Sequence, residues 1–255
     1  MQRVKARIFS GIICEQMIFN LPDGTKKPKP GAPRFRFETE EEREKYNSEK
    51  SRRHFVRLVN ANFSPTSYYS TLTLDKAHEI HDFETAKQEL NNYIRRLRRK
   101  HPQAKIVAVM GKGKRNHRVH FHMISEGIPE EVLKKKWGMG TVDSDHLWEN
   151  VKYDDGDHGQ DYTKLANYLF DHWTPEQGTK RWTATKNMDK PLHEAPRPAK
   201  REYSETRPPR MKGYILVESK ATKYGLLYFK YVKKPQDAKA PPGKKEKPGK
   251  KEKPG

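Results

Sequence analysis

The clearest pattern along the chain is a strict alternation of apolar and polar side chains in RVHFHMI, residues 118–124. His120 and His122 share one side of this segment, and the valine, phenylalanine and methionine share the other. A period of two is typical of a β-strand. The run KIVAVM, residues 105–110, precedes it, and the linking sequence GKGKRNH predicts an antiparallel hairpin.

Four segments have the composition or periodicity of helices. Residues 38–63 carry acids early and bases late, as a helix dipole prefers. A second helix follows Asp82, a good N-cap, with apolar residues at three- and four-residue steps. Pro129 opens the short helix EEVLKKKW, which glycines end. Residues 161–173, DYTKLANYLFDHW, form the fourth predicted helix.

The remaining predicted strands lie near the two ends of the chain and in YYSTLTLD, residues 68–75. A pair of strands is expected within residues 4–19, and a second hairpin is expected from GYILVES and GLLYFKYV at 213–232. Together these elements predict an α+β fold with a central antiparallel β-sheet and helices packed on it. From residue 233 onward the Lys-, Pro- and Gly-rich sequence predicts a disordered basic tail.

The charge of the chain favours a polyanionic partner. Lys and Arg number 53 against 33 Asp and Glu, which gives a formal net charge of +20. Nucleic acid is a better match than a membrane surface, and no stretch is apolar enough to span a bilayer. The single cysteine, Cys14, excludes an intramolecular disulfide and a cysteine-type zinc site. We therefore predict a cytoplasmic protein.

The paired histidines of 118–124 are candidate metal ligands. Two neutral imidazoles on one side of a strand can hold a divalent cation if a third ligand comes from elsewhere. The alternative is a pair of hydrogen-bonded or solvated histidines on a half-exposed strand. The spacing alone leaves both interpretations open.

The fourth predicted helix favours the metal interpretation. At about 100° per residue its apolar side chains occupy one arc. Tyr168 lies on the opposite arc with Asp161, Lys164, Asp171 and His172. A tyrosine displayed among groups that carry charge is a candidate nucleophile. Tyr162 is expected to lie in the frayed first turn of this helix.

The order of these features resembles a known family. A strand (YYSTLTLD), a helix, a hairpin with His-hydrophobic-His (HFH) and a helix with tyrosine (ANYLFDHW) are similar to the HUH endonucleases. The chain most resembles the rolling-circle replication initiators (Rep) of bacterial plasmids, integrative elements and small single-stranded DNA phages. The flanking NANFSPTS and RWTATKNMDKP extend the resemblance from about Arg52 to Pro191.

The resemblance implies a ferredoxin/RRM-like sheet and a specific chemistry. His120 and His122, with one further polar ligand, would hold Mg²⁺ or Mn²⁺. Tyr168 would attack one DNA strand and form a 5′-phosphotyrosine linkage, leaving a free 3′-OH that primes replication. Such a protein nicks and rejoins origin DNA in the bacterial cytoplasm.

The sequence departs from the family pattern at two places. Many relatives carry a second tyrosine four residues after the first, where this chain has His172. Many also carry a Glu before the histidine pair, which is missing here. The third ligand stays open among His117, His158 and Asp161, of which Asp161 is preferred because it shares the Tyr168 face. Lys164, one turn before Tyr168, is expected to stabilise the phenolate or the phosphate.

The expected partners are single-stranded or origin hairpin DNA, a host helicase and a DNA polymerase. A helicase partner is expected because the sequence contains no G-x-x-x-x-G-K-[ST] loop. The predicted DNA-binding residues are basic side chains: Arg95, Arg96, Arg98, Arg99, Arg118, Arg181 and Lys186.

We divide the chain into four parts. Residues 1–51 hold the N-terminal strands, a linker and the start of a helix, and 52–200 form the nuclease core. Residues 201–232 form a C-terminal hairpin extension, and 233–255 form the tail. Alternative functions are a non-catalytic single-stranded nucleic-acid-binding protein, and a relaxase or one-tyrosine transposase of the same superfamily.

Overall fold

The computed structural model describes residues 2–21, 39–113, 118–147, 161–172, 182–222 and 225–234. Within these ranges the chain forms two antiparallel five-stranded sheets and four α-helices, which confirms the α+β class. The strands are β1 (Gln2–Ser10), β2 (Ile13–Leu21), β3 (Tyr68–Leu72), β4 (Lys105–Lys112), β5 (Val119–Glu126), β6 (Val142–His146), β7 (Trp182–Ala184), β8 (Leu192–Pro198), β9 (Tyr214–Ala221) and β10 (Leu227–Lys233). The helices are α1 (Glu40–Asn62), α2 (Phe83–Lys100), α3 (Glu130–Trp137) and α4 (Thr163–Asp171).

The sheet that contains the histidine pair, here called the histidine sheet, has the strand order β6-β3-β5-β4-β7. Its elements β3-α2-β4-β5-α3-β6 form the βαββαβ unit of a ferredoxin-like fold. The two central strands of this unit are β3 and β5, which pair antiparallel with Thr71 opposite His122. The predicted ferredoxin-like sheet is therefore present, and the histidines lie on a central strand.

Strand β5 is buried on both faces, which explains its alternating sequence. Phe121 points toward α2 and α3, and its ring packs edge-on against Trp137 at 5.4 Å between centroids. Ile124 points the other way, into a second core with Phe55 of α1 and Leu169 of α4. The histidine sheet is thus the middle layer of three, and the histidines face α1 and α4.

The ends of helices α2 and α3 lie where the sequence predicted them. The Asp82 side chain caps α2 by accepting a hydrogen bond from the Thr85 amide at 2.7 Å. Pro129 precedes α3, and Gly138 ends it in the left-handed conformation with φ of 69°. Both helices pack on the same face of the histidine sheet, so their polar sides form one outer surface of the molecule.

The second sheet, here called the terminal sheet, joins strands from both ends of the described chain. Its order is β8-β1-β2-β10-β9. The N-terminal strands and the C-terminal hairpin therefore form one sheet, although the sequence division places them in separate parts. Strand β8, which that division assigned to the core, pairs with β1.

The terminal sheet packs on the outer side of α1 and α4. The Arg57 guanidinium of α1 contacts the Glu15 carboxylate of β2 at 2.5 Å. Gly11, in the turn between β1 and β2 with φ of 59°, approaches the Asn60 carbonyl so closely that a Cβ atom would collide with it. This turn therefore requires glycine for both its backbone conformation and its contact with α1.

Several details differ from the sequence prediction. Helix α4 begins at Thr163, two residues later than expected, and Trp173 lies outside the described residues. Strands β6, β7 and β8 were not predicted, because they are short or polar strands at sheet edges. No helix in the described ranges is long and apolar enough to cross a membrane.

The burial of β5 generates a test of the core. We expect Phe121→Ala to lower the free energy of unfolding by about 3–5 kcal/mol, because it removes a fully buried ring and leaves a cavity. Leu192→Ala is the control, since Leu192 is 64% exposed and its loss should change stability by less than about 0.5 kcal/mol. Chemical denaturation measures both, and similar values for the two variants would contradict the assigned core.

Candidate active site

The two histidines of β5 lie side by side beneath helix α4. Their ring centroids are 5.0 Å apart. His120 is half-buried, whereas His122 is only 6% exposed. One ring nitrogen of His120 donates a hydrogen bond to the Arg118 backbone carbonyl. The alternative of solvated histidines on a half-exposed strand therefore does not describe His122.

The partners of His122 come from strand β3. Its Nδ1 atom lies 2.8 Å from the Tyr69 hydroxyl and 3.3 Å from the Thr71 hydroxyl. Among the described residues its Nε2 atom is buried and has no hydrogen-bond partner. If Nδ1 carries the proton and donates it to Tyr69, Nε2 presents a lone pair to the space beneath α4.

Burial keeps both rings of the pair neutral near pH 7. It lowers the pKa of His122 to about 4, with smaller contributions from His120 and His172. It also lowers the pKa of His120, although the hydrogen bond to the Arg118 carbonyl acts in the opposite direction. A neutral imidazole is the form that binds a metal ion.

Helix α4 places a tyrosine and a third histidine over the pair. Tyr168 is 48% exposed, in contrast to Leu165 and Leu169 on the buried side of the helix. His172 follows the last turn, and its ring lies 5.1 Å from the His122 ring and 3.9 Å from the Tyr168 ring. The sequence prediction that Tyr168 lies off the apolar arc is confirmed.

The hydrogen bond of His172 fixes its tautomer. Its Nδ1 atom lies 3.0 Å from the Tyr168 carbonyl oxygen, which can only accept a hydrogen bond. Nδ1 therefore carries the proton and Nε2 carries the lone pair. Metal-ligating histidines commonly donate their other ring N–H to a backbone carbonyl in this way.

Gly111 allows the end of α4 to approach the histidine sheet. It lies opposite His120 in the β4–β5 pair. A Cβ atom at this position would lie 2.7 Å from the His172 carbonyl oxygen and 2.9 Å from His120 Nε2. Any larger residue would therefore push the helix end and the histidine ring apart.

The three histidines fit a divalent cation in spacing but not yet in arrangement. Two imidazoles on one ion, with metal–nitrogen distances of about 2.1 Å, have centroids roughly 4.5–5 Å apart. The separations of His122 from His120 and His172 are 5.0 Å and 5.1 Å. Within the described ranges, however, no three His, Cys, Asp or Glu side chains form a ready metal-binding group. Side-chain rotation would have to turn the nitrogen atoms toward a common point.

The structure places Asp161 at the other end of α4 from this cluster. Its carboxylate lies 2.6 Å from the Lys230 ammonium of β10 and accepts a hydrogen bond from the Thr163 amide. Tyr168 is seven residues further on, about 10 Å along the helix axis. The carboxylate is used in this ion pair, and we do not include Asp161 in the proposed metal site. His117 and His158 lie outside the described residues.

The other residues predicted for catalysis and DNA binding lie in different places. Lys164 is exposed one turn before Tyr168. Arg118 shares the His120 side of β5 and pairs with Glu79. Lys186 is exposed in the turn after β7, next to the start of β4, whereas Gly111 and the histidines lie near its end. Arg181 lies outside the described residues.

The predicted arginines of α2 lie on the layer away from the histidine cluster. Arg95, Arg98 and Arg99 follow the outer side of α2, which covers the opposite face of the histidine sheet. Arg96 instead donates hydrogen bonds to the last carbonyls of α3, at Lys136 and Trp137. The structure does not bring these side chains to Tyr168.

Sequence reasoning did not assign a role to four polar residues beside His122. Tyr69 and Thr71 belong to β3, and Asp145 and Asp143 lie opposite them on β6. The alternation in YYSTLTLD indicated that the first two share a face, but the register that places Thr71 opposite His122 cannot be read from one strand. Strand β6 was not predicted, so neither aspartate was considered.

The position of Tyr162 also differs from the expectation. It was predicted to lie in a frayed first turn, but it is 1% exposed and its backbone amide donates to the Asn60 side chain at 2.9 Å. Its hydroxyl is buried and has no hydrogen-bond partner among the described residues. Burial raises the pKa of Tyr162, so its phenol is less easily ionised than a free one.

Comparison with known proteins agrees with part of this description. Residues 67–176 match the family model of the replication-associated protein ORF2. The matched range begins just before β3 and includes both histidines of β5 and all of α4. No curated protein and no solved structure matches the chain. The match supports a replication-associated protein over the range that holds the cluster.

The ion pair at the start of α4 generates a prediction. Burial raises the pKa of Asp161, but attraction to Lys230 and hydrogen bonds from Lys230 and Thr163 outweigh it, so the net shift is downward. Lys230→Met should lower the free energy of unfolding by about 2–4 kcal/mol at pH 7, because it leaves a buried carboxylate unpaired.

The pH dependence gives this prediction its sign. A lowered pKa contributes stability above the unfolded value and loses it as the pH falls through the folded value. In Lys230→Met, burial alone raises the pKa of Asp161, so protonation relieves the penalty. The difference between the variant and the wild type should therefore shrink between pH 7 and pH 4. A constant difference in urea denaturation across this range would contradict the assigned pair.

Proposed function

We propose that this protein is a rolling-circle replication initiator that nicks and rejoins one strand of origin DNA. The observation that carries the proposal is the meeting of exposed Tyr168 with His120, His122 and His172 at the end of α4. The match of residues 67–176 to a replication-associated family supports the same interpretation.

His120, His122 and His172 would hold the divalent cation, with His172 as the third ligand. A bound cation would polarise the scissile phosphate. The buried Nε2 atom of His122 and the free lone pair of His172 Nε2 support this ligand set. Imidazole suits transition metals better than Mg²⁺, so we expect Mn²⁺ to bind more tightly than Mg²⁺.

Tyr168 is the nucleophile of the proposed reaction. Its hydroxyl oxygen attacks the phosphorus atom as the phenolic proton leaves to solvent, the bond from phosphorus to the 3′ oxygen breaks, and that oxygen takes a proton to become the 3′-OH. The product is a 5′-phosphotyrosine. Lys164, one turn earlier, would favour ionisation of a phenol whose ordinary pKa is about 10. Attack by a 3′-OH on the phosphotyrosine reverses the reaction and rejoins the strand.

Tyr69 is the positioning residue of this site. Its hydroxyl holds the Nδ1 atom of His122, and the two rings lie nearly parallel with centroids 5.8 Å apart. Burial raises the pKa of Tyr69 to about 12, although a hydrogen bond with Thr71 acts in the opposite direction. Tyr69 therefore remains a neutral phenol that orients the ring.

The DNA substrate would be single-stranded or an extruded origin hairpin. An unpaired strand can reach Tyr168 from solvent, because this side chain is exposed at the surface of α4. A host helicase and a DNA polymerase would supply unwinding and synthesis.

The first functional prediction concerns which tyrosine reacts. Tyr168→Phe should abolish the covalent adduct between the protein and a labelled origin oligonucleotide in Mn²⁺, because it removes the attacking oxygen and keeps the ring. Tyr162→Phe is the matched control and should retain the adduct, since the Tyr162 hydroxyl is buried away from solvent. Denaturing electrophoresis measures the adduct, and peptide mapping identifies the linked residue.

Two results would contradict this assignment. An adduct that persists in Tyr168→Phe would remove Tyr168 as the nucleophile. A wild-type protein that binds the oligonucleotide but leaves no adduct under denaturing conditions would favour the non-catalytic binding function.

The second functional prediction concerns His172. His172→Ala should weaken Mn²⁺ binding at least about tenfold, as loss of a ligand or its support typically does. His81→Ala is the control, because the side chain of His81 is 70% exposed in the loop before α2. Calorimetric titration of the DNA-free protein with Mn²⁺ measures both. Equal affinities for the two variants would exclude His172 as a ligand.

A further inference from the structure

The last turns of α2 and α3 form a basic surface on the layer away from Tyr168. The two helix ends meet where the Arg96 guanidinium donates to the Lys136 carbonyl at 3.3 Å and to the Trp137 carbonyl at 3.5 Å. We call this area the basic helix surface, and its members are Arg95, Arg98, Arg99, Lys100, Lys134, Lys135 and Lys136.

The acids of these two helices lie in their first turns, away from the basic ends. They are Glu84 in α2 and Glu130 and Glu131 in α3. Glu130 pairs with Lys134 at 2.6 Å, and Glu84 is about 20 Å from Arg99 along the axis of α2. Like charges are therefore concentrated at one end of both helices. A polyanion bound there would relieve their mutual repulsion.

This surface and the histidine cluster lie on opposite sides of one sheet. Helices α2 and α3 cover the Phe121 face of β5, whereas His120 and His122 point to the face beneath α4. A layer of packed side chains and the sheet itself separate the two, at about 10 Å for each layer. A DNA segment on the basic helix surface is therefore not the segment that contacts Tyr168.

We propose that the basic helix surface binds the phosphate backbone of duplex DNA and holds it apart from the strand at Tyr168. The proposal rests on the proposed function only in taking DNA as the polyanion. It assigns the arginines of α2 to a second contact with the origin region, where the duplex continues beside the nicked strand.

The composition of the surface favours duplex over single-stranded DNA. Single-strand sites stack bases on exposed aromatic side chains. The aromatic residues of α2 and α3, Phe83, Tyr93 and Trp137, are all buried. Duplex DNA presents one negative charge per about 1.7 Å of axis, twice the density of one strand. Phosphate contact by lysine and arginine therefore matches what these two helices expose.

The test compares two fourfold variants that lose the same charge. The surface variant carries Arg95→Gln, Arg99→Gln, Lys100→Gln and Lys135→Gln. The control variant carries substitutions of exposed basic residues in the segment between β8 and β9: Arg201→Gln, Arg207→Gln, Arg210→Gln and Lys212→Gln. The probe is a blunt-ended duplex of mixed sequence, and its dissociation constant is measured at several NaCl concentrations. Thermal unfolding checks that both variants are folded.

The surface variant should bind the duplex at least about tenfold more weakly near 0.1 M salt. The slope of log affinity against log salt should flatten by about 0.9 for each phosphate that the variant no longer neutralises. The control variant should change both quantities much less. Both variants should form the covalent adduct with a short single-stranded oligonucleotide at the wild-type rate, because the substituted side chains lie far from Tyr168.

Two outcomes would overturn the inference. Equal losses of duplex affinity in both variants would show a diffuse charge effect. Loss of adduct formation in the surface variant, with duplex binding unchanged, would mean that the surface serves the cleaved strand. A wild-type protein that forms no adduct would reject the proposed function, yet the difference in salt slope would still decide whether the surface binds duplex DNA.

Discussion

Burial of His122 between the central strand and helix α4 is the constraint on which the rest of the site depends. A buried imidazole needs partners for its nitrogen atoms, and the register of β3 against β5 supplies them by placing Thr71 opposite His122 and Tyr69 beside it. Only Nδ1 is satisfied in this way. A register shift of one residue on β5 would turn Phe121 toward α4 and the histidines into the other core, so strand pairing and site chemistry are specified together.

The position of α4 is fixed by contacts at both of its ends. Lys230 and Asn60 hold its start, through Asp161 and the Tyr162 amide. Near its other end, Arg52 of α1 pairs with Asp171 at 2.5 Å. Because the helix is only nine residues long, a small tilt at its start would move Tyr168 relative to the histidines. The terminal sheet, which carries no proposed catalytic group, therefore contributes to the alignment of the nucleophile.

The sequence could predict those features that depend on local periodicity. The alternation around His120 placed the pair on the correct side of β5, and the helical arc placed Tyr168 outside the core. The same argument also put Asp161 on the Tyr168 face, but a helical wheel contains no information about β10. The ion pair with Lys230 comes from a strand about seventy residues later. Tyr162 was misjudged for the same reason, since its burial depends on α1.

His172 connects this limit to the proposed mechanism. From sequence it is a departure, because it replaces the second tyrosine of many relatives. In the structure its Nδ1 proton is bound by the Tyr168 carbonyl, and its ring lies next to His122. One position, four residues after the nucleophile, can present either a second nucleophile or a third imidazole, but not both. If it serves as a ligand, the histidine cluster needs no carboxylate from the segment before the pair, where the sequence has none. The two departures from the family pattern then have a single physical explanation: the chain exchanges a second tyrosine for the missing ligand, and each copy can form one covalent link at a time.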